Sequence, residues 1–151
     1  MQSFEKFIDI NAPIEKVFHF HDDTANLLRI TPPDVKVELI SMSPAGNGQK
    51  ISLGITQFGF FKSRWDVEII EYQPPVKMID RQVKGPFHSF VQTRRFTDLG
   101  NGKTRMTDHV DYELPLNGVG NFFAGNLVAG ELKKMFAYRH QRTKEILETG
   151  K

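Results

Sequence analysis

Hydrophobic and polar positions change period twice along this chain. Phe4 to Ile10 is apolar and β-prone and predicts a first strand. Asn11-Ala12-Pro13 follows, where Asn11 suits a helix cap and Pro13 a first turn, so a short helix is expected through Glu15, Val17, Phe18 and His21. Asn26 to Ile30 reads as a second short helical segment. Thr31-Pro32-Pro33 stops it, because a residue before proline is pushed out of the α region. From Val35 to Leu114 the period is two, as in Val35-Lys36-Val37-Glu38-Leu39, Trp65-Asp66-Val67-Glu68-Ile69 and Met106 to Tyr112. Turn residues at Gly46-Asn47-Gly48, Pro74-Pro75, Gly85-Pro86 and Gly100-Asn101-Gly102 divide this stretch into six strands, one of them bulged or interrupted near Gly59. The loops are too short for parallel crossovers, so the strands pair as hairpins. After Leu114-Pro115 the period becomes helical. Leu132, Met135, Phe136, Arg139, Thr143, Ile146 and Leu147 share one face, while Gly118, Gly120, Gly125 and Gly130 weaken the beginning, which puts the firm helix between about Asn126 and Leu147. A strand, two short helices, six strands and a long helix predict an α+β domain, a single antiparallel sheet curled around one amphipathic helix.

Opposed residues on neighbouring strands share a face, so the right register brings apolar residues together. A three-residue loop at Gly100-Asn101-Gly102 pairs Phe96 with Met106, Arg94 with Asp108, Gln92 with Val110 and Phe90 with Tyr112. A Gly85-Pro86-Phe87 loop pairs Gln82 with Phe90, Asp80 with Gln92 and Met78 with Arg94. A four-residue loop across Pro74-Pro75 pairs Ile69 with Met78, Val67 with Asp80 and Trp65 with Gln82. One face then carries Trp65, Val67, Ile69, Met78, Phe90, Phe96, Met106, Val110 and Tyr112, with Asp80, Gln82, Gln92, Arg94 and Asp108 among them. The other carries Lys77, Arg81, Ser89, Thr93, Arg95, Thr97, Arg105, Thr107, His109 and Asp111. The first face meets the long helix. Five polar side chains there are costly unless they reach water or one another. A ligand cavity with apolar walls and a few convergent polar groups resolves the conflict; a closed network around an Arg94–Asp108 ion pair is the other solution.

Composition narrows the function. With 151 residues, 20 Lys+Arg and 18 Asp+Glu, the chain fits one domain spanning residues 1–151. A net charge of +2 is too small to argue for nucleic acid. No cysteine is present, which excludes disulfides, thiolate nucleophiles, Fe–S clusters and Cys-type zinc sites. The apolar runs are far shorter than the roughly 20 residues of a membrane span. The N-terminus lacks an apolar signal core, so a cytoplasmic protein is expected. There is no G-x-S-x-G, P-loop, G-x-G-x-x-G or H-E-x-x-H motif, and no cofactor, metal or catalytic residue is expected.

Phe18-His19-Phe20-His21-Asp22, Asn26-Leu27 and Ile30-Thr31-Pro32-Pro33 resemble the opening of bacterial proteins in the START/polyketide cyclase/Bet v 1-like (SRPBCC) superfamily. Trp65 through Glu71-Tyr72-Gln73-Pro74-Pro75, Asp80-Arg81-Gln82, Gly85-Pro86-Phe87, Met106 through Tyr112, and Phe136-Ala137-Tyr138-Arg139 extend the likeness over essentially the whole chain. Where such subgroups carry a histidine after Gly-Pro-Phe, this chain has Gln92. The resemblance implies a helix-grip fold: a seven-stranded curved antiparallel sheet wrapped around a long C-terminal helix, with two short helices after the first strand. It implies a lipid, quinone or polyketide-like ligand, or cyclisation or dehydration of one.

The leading expectation is a monomer or homodimer that binds a small hydrophobic or amphipathic molecule. Trp65, Phe90, Phe96, Met106 and Tyr112 supply apolar contact, and Asp80, Gln82, Gln92, Arg94 and Asp108 orient its polar group, with Arg94 the natural partner for an enolate, carboxylate or carbonyl. The runner-up is an aromatase/cyclase or dehydratase that moves a proton with Asp80 or Asp108. A protein-interaction module is the third class. Among the histidines, His19 and His21 diverge by about 200° on a helix and cannot share a metal, and His21-Asp22-Asp23 reads as a solvated helix end. His140 is placed at the pocket's edge, His88 and His109 on the wet face. Lys133-Lys134 with Arg139, His140, Arg142 and Lys144 reads as a solvated helix face.

Overall fold

The structure, a computed structural model, describes residues 1–57, 61–115 and 121–151. The elements run β1 (Gln2–Ile10), α1 (Ile14–Asp22), α2 (Asn26–Arg29), β2 (Val35–Met42), β3 (Lys50–Gln57), β4 (Phe61–Gln73), β5 (Lys77–Lys84), β6 (Ser89–Gly100), β7 (Lys103–Glu113) and α3 (Asn121–Thr149). The seven strands form one antiparallel sheet in the order β1-β7-β6-β5-β4-β3-β2. The expected interruption at Gly59, and the weakening at Gly118 and Gly120, lie outside the described residues.

The expected β6–β7 register holds: Phe96 opposes Met106, Arg94 opposes Asp108, Gln92 opposes Val110 and Phe90 opposes Tyr112. Its turn differs. Asn101 and Gly102 both take positive φ, at 56° and 72°, and close a two-residue turn on the Gly100–Lys103 pair; a bulge at Leu99 then restores the register. The β5–β6 pairs Asp80–Gln92 and Met78–Arg94 are also as expected. The β4–β5 register is corrected by two residues, with Ile69 opposite Asp80 and Val67 opposite Gln82. Because two is the side-chain period of a strand, Trp65, Val67 and Ile69 still face the helix. A bulge at Ile70 then turns Tyr72 to that same face, opposite Met78.

Bulges explain most of the exposed aliphatic residues of the sheet. Ile40, Ile70, Val83 and Leu99 are 40–60% exposed, and each is the extra residue where a register shifts. An apolar doublet such as Leu39-Ile40 or Ile69-Ile70 breaks the alternation, and the bulge lets one member point inward and the other out.

On α3 the buried residues are Leu132, Phe136, His140, Thr143 and Ile146, at helical spacing. Phe4 of β1 packs edge-on to Phe136 at 5.3 Å. Ile10, Val17, Phe18, Met78, Phe96 and Met106 form a second core under α1. Asn11 does not cap α1. Pro13 precedes the helix, and the Asn11 backbone N–H donates instead to Glu148 at 2.8 Å, tying the end of β1 to the end of α3.

Candidate functional site

Between the sheet, α3 and the α1–α2 corner lies a cavity of about 400 Å³. Ile51, Leu53, Trp65, Val67 and Ile69 line it from β3 and β4, Phe87 from the loop before β6 and Phe90 from its start, and Leu132, Met135 and Phe136 from α3. Trp65, Phe87 and Phe90 form an aromatic corner with centroids 5.1–5.5 Å apart. Into this apolar lining project His21, Asp80, Gln82, Gln92, Arg94 and Arg139.

Of the ten residues expected at the site, Trp65, Asp80, Gln82, Phe90, Gln92 and Arg94 border the cavity. Phe96 and Met106 do not; they belong to the core under α1, because α1 packs directly on that end of the sheet. Tyr112 lies behind Phe87 and donates its hydroxyl to Gln2 at 2.8 Å. Asp108 is buried behind the wall rather than in it. It accepts from Arg94 Nε at 2.7 Å, from Gln92 Nε2 at 3.0 Å and from His140 Nε2 at 2.6 Å. The two solutions to the inward polar residues therefore coexist: a closed network around Asp108, with an open cavity beside it.

The edge position expected for His140 is overturned: its side chain is 1% exposed. So is the solvated reading of Arg139 and His21, which both line the cavity. Spacing carried the signal for the helix pair, since His140 follows Phe136 by four residues and Arg139 by three. His21 was hidden because α1 runs on through Asp22 and docks against β6 and β7, with His21 6.0 Å from Phe96. Asp22 accepts a hydrogen bond from the Tyr72 hydroxyl at 2.7 Å. Gln82 has its amide spent on the Phe87 backbone, donating to the carbonyl at 2.8 Å and accepting from the N–H at 3.2 Å. It builds the Gly85-Pro86-Phe87 loop and so shapes the aromatic corner.

The charges fall into unlike environments. Burial alone would raise the Asp108 pKa, but Arg94 and His140 outweigh it and hold the carboxyl well below its ordinary range. Asp80 has no hydrogen bond among the described residues. Burial, with Asp108 nearby, pushes it up to about 6 against the pull of Arg94 and Arg139. The same burial lowers His21 well below its ordinary value, so the imidazole is neutral. It also brings Arg139 down to about 10, with Arg94 adding repulsion, and the guanidinium is still charged at neutral pH. Of the two sheet carboxylates in this cluster, Asp80 and Asp108, Asp80 is thus the one whose proton is exchangeable near neutrality.

Among the described residues, no cluster of three His, Cys, Asp or Glu is placed to hold a metal, and no helix is long and apolar enough to cross a membrane. Residues 1–148 match the family described as "Polyketide cyclase / dehydrase and lipid transport". A comparison with curated proteins finds no match. Solved structures share the fold at low identity. TTHA0849 from Thermus thermophilus is 19% identical with a TM-score of 0.80, covering 99% of both chains. The Zhui aromatase/cyclase from Streptomyces sp. R1128 is 18% identical with a TM-score of 0.78, covering 97% of this chain and 93% of that one. A START superfamily protein from Mycobacterium smegmatis is 15% identical with a TM-score of 0.72, covering 95% and 98%. The seven-stranded sheet gripping α3 is the helix-grip fold of these neighbours.

Proposed function

Since the chain belongs to the polyketide cyclase / dehydrase and lipid transport family, we propose that it binds a small, largely apolar molecule in the cavity between the sheet and α3. The cavity itself carries the reading. About 400 Å³ walled by Trp65, Leu53, Ile69, Phe90, Leu132 and Phe136 is large enough for a lipid chain or a fused-ring ligand. Such a volume left unfilled in a core costs stability that a packed interior would avoid. Trp65 and Phe90 offer flat faces to a ring, and the cluster around Asp80 and Arg94 fixes the orientation of polar atoms.

Native mass spectrometry of the purified protein tests this, followed by titration with a fatty acid, a quinone and an aromatic polyketide. Trp65 is the single tryptophan, so its fluorescence reports occupancy of the cavity. A retained lipophilic mass, or a saturable Trp65 response, is expected. Absence of both, together with no thermal shift from any of the three ligands, would refute binding.

Asp80 supports a second reading, in which the bound molecule is also converted. Cyclisation or dehydration needs a group that gives and takes a proton near the working pH, and burial places Asp80 there. Asp108 cannot serve, being held ionised by Arg94 and His140. An Asp80→Asn variant that binds a polyketide-like substrate without converting it, beside a wild type that does convert it, would establish turnover.

A further inference from the structure

We propose that the cavity is built for an amphipathic anion: Arg139 receives the charged head group and Asp80 shares it as a hydrogen-bond donor, so the anion enters together with a proton. The inference rests on the binding reading and specifies its ligand class.

Arg94, the cation expected to meet a ligand, is already committed. Its Nε lies 2.7 Å from Asp108, which also accepts from Gln92 and His140. That pair is neutral as a unit. Arg139 is different. It lines the cavity with its guanidinium 5.3 Å from the Phe136 ring centroid, and its Nε is buried with no hydrogen-bond partner. Among the described residues no carboxylate reaches it within ion-pair distance. A half-buried cation whose Nε has no partner is costly, and an anion delivered into the cavity relieves that cost. His21 Nε2 is likewise buried and unpartnered, a neutral group able to complete the coordination of an oxyanion.

Asp80 supplies the proton. Around it stand Arg94 on β6, Asp108 on β7 and Arg139 on α3, with Ile69 opposite on β4, and His21 on α1 shares those three charged neighbours. Asp22, Asp23 and Glu131 lie elsewhere on the cavity lining. With Arg94 and Asp108 cancelling, Arg139 is balanced by Asp80 only while Asp80 is ionised. Protonating Asp80 leaves one net positive charge for one negative head group, and converts a repelling carboxylate into a donor. The neutral acid is also the form that burial favours.

Decanesulfonate and decanol share a chain, and the sulfonate keeps its charge at every working pH. Titrated into the intact protein and followed by Trp65 fluorescence and calorimetry, decanesulfonate should bind about tenfold or more tightly than decanol. Arg139→Gln should erase that preference by weakening decanesulfonate about tenfold more than decanol, and Arg139→Lys should restore part of it. Should the Gln variant misfold, Arg139→Met, which also removes an unpaired half-buried charge, serves the same comparison. Wild-type affinity for decanesulfonate should rise as pH falls through about 6, and Asp80→Asn should flatten that rise at the tighter limit. Equal affinity for the two probes overturns the inference, as does parallel weakening in Arg139→Gln or a pH slope that survives in Asp80→Asn. Failure of both probes to bind overturns the binding reading itself, a distinct outcome.

Discussion

Asp108 on β7 and His140 on α3, 32 residues apart in the chain, meet at 2.6 Å with both side chains 1% exposed. The contact ties the long helix to the sheet by a buried polar link. With Asp108 ionised, His140 donates from Nε2, a tautomer assigned from this contact. His140→Leu keeps the volume and orphans a carboxylate oxygen. It should cost about 2–4 kcal/mol in urea or guanidinium unfolding. A loss under about half a kcal/mol would show that solvent reaches Asp108 after all.

Arg94→Met removes the other charged partner of Asp108. Because Gln92 and His140 still donate to the carboxylate, the expected loss is about 1–3 kcal/mol. The double variant with His140→Leu should lose more than the sum of the two single losses, since together they leave Asp108 only Gln92. Additivity in a double-mutant cycle would count against one network.

Asp80 should make the protein less stable as pH rises. Its folded pKa of about 6 lies above the ordinary 3.8, so the folded state binds the extra proton between these values. Stability therefore falls as pH climbs from about 4 to about 6 and is flat beyond. Asp80→Asn should abolish this loss and gain about 1–3 kcal/mol at neutral pH. Asp108 acts in the opposite sense. Its depressed pKa contributes stability above the ordinary 3.8, and that stability is lost as pH falls below it. Thermal melts of wild type and Asp80→Asn across this range separate the two: only the upper slope should vanish in the variant.

Gly85→Ala should disturb the cavity from outside it. A Cβ at residue 85 would collide with the Gln82 amide that holds the Phe87 backbone. Displacing Gln82 breaks both hydrogen bonds, at about 1–3 kcal/mol, and loosens Phe87 against Trp65. The check is a shift of the Trp65 emission spectrum in the unliganded variant. An unchanged spectrum with unchanged stability would show that the loop accommodates the methyl group.

The sequence alone determined the element order, the faces of β4 to β7 that meet the helix between Trp65 and Tyr112, and the β6–β7 register. These follow from local physics: the period of apolar residues, the turn residues that separate the strands, and the matching of Phe96 with Met106 and of Phe90 with Tyr112. The doublet Ile69-Ile70 also announced that alternation fails there, but not how the chain would absorb it. The turn closes three residues away from the expected β4–β5 pairing and the bulge at Ile70 takes one back, a net shift of two that leaves the face intact, so the inward residues were legible although their neighbours were not. Tertiary structure decided the rest. Whether Phe96 and Met106 wall a cavity or fill a core depends on where α1 docks, and it docks over them. His21, Arg139 and His140 carry no mark in the sequence beyond helical spacing, which places them near an apolar stripe without saying how deep the helix sinks. Only the rotation of α3 against β7 turns His140 onto Asp108 and leaves Arg139 in the cavity wall without a counterion. Two polar residues adjacent in sequence take such different roles because the helix advances about 100° per residue, and the sheet fixes which side of that angle is closed.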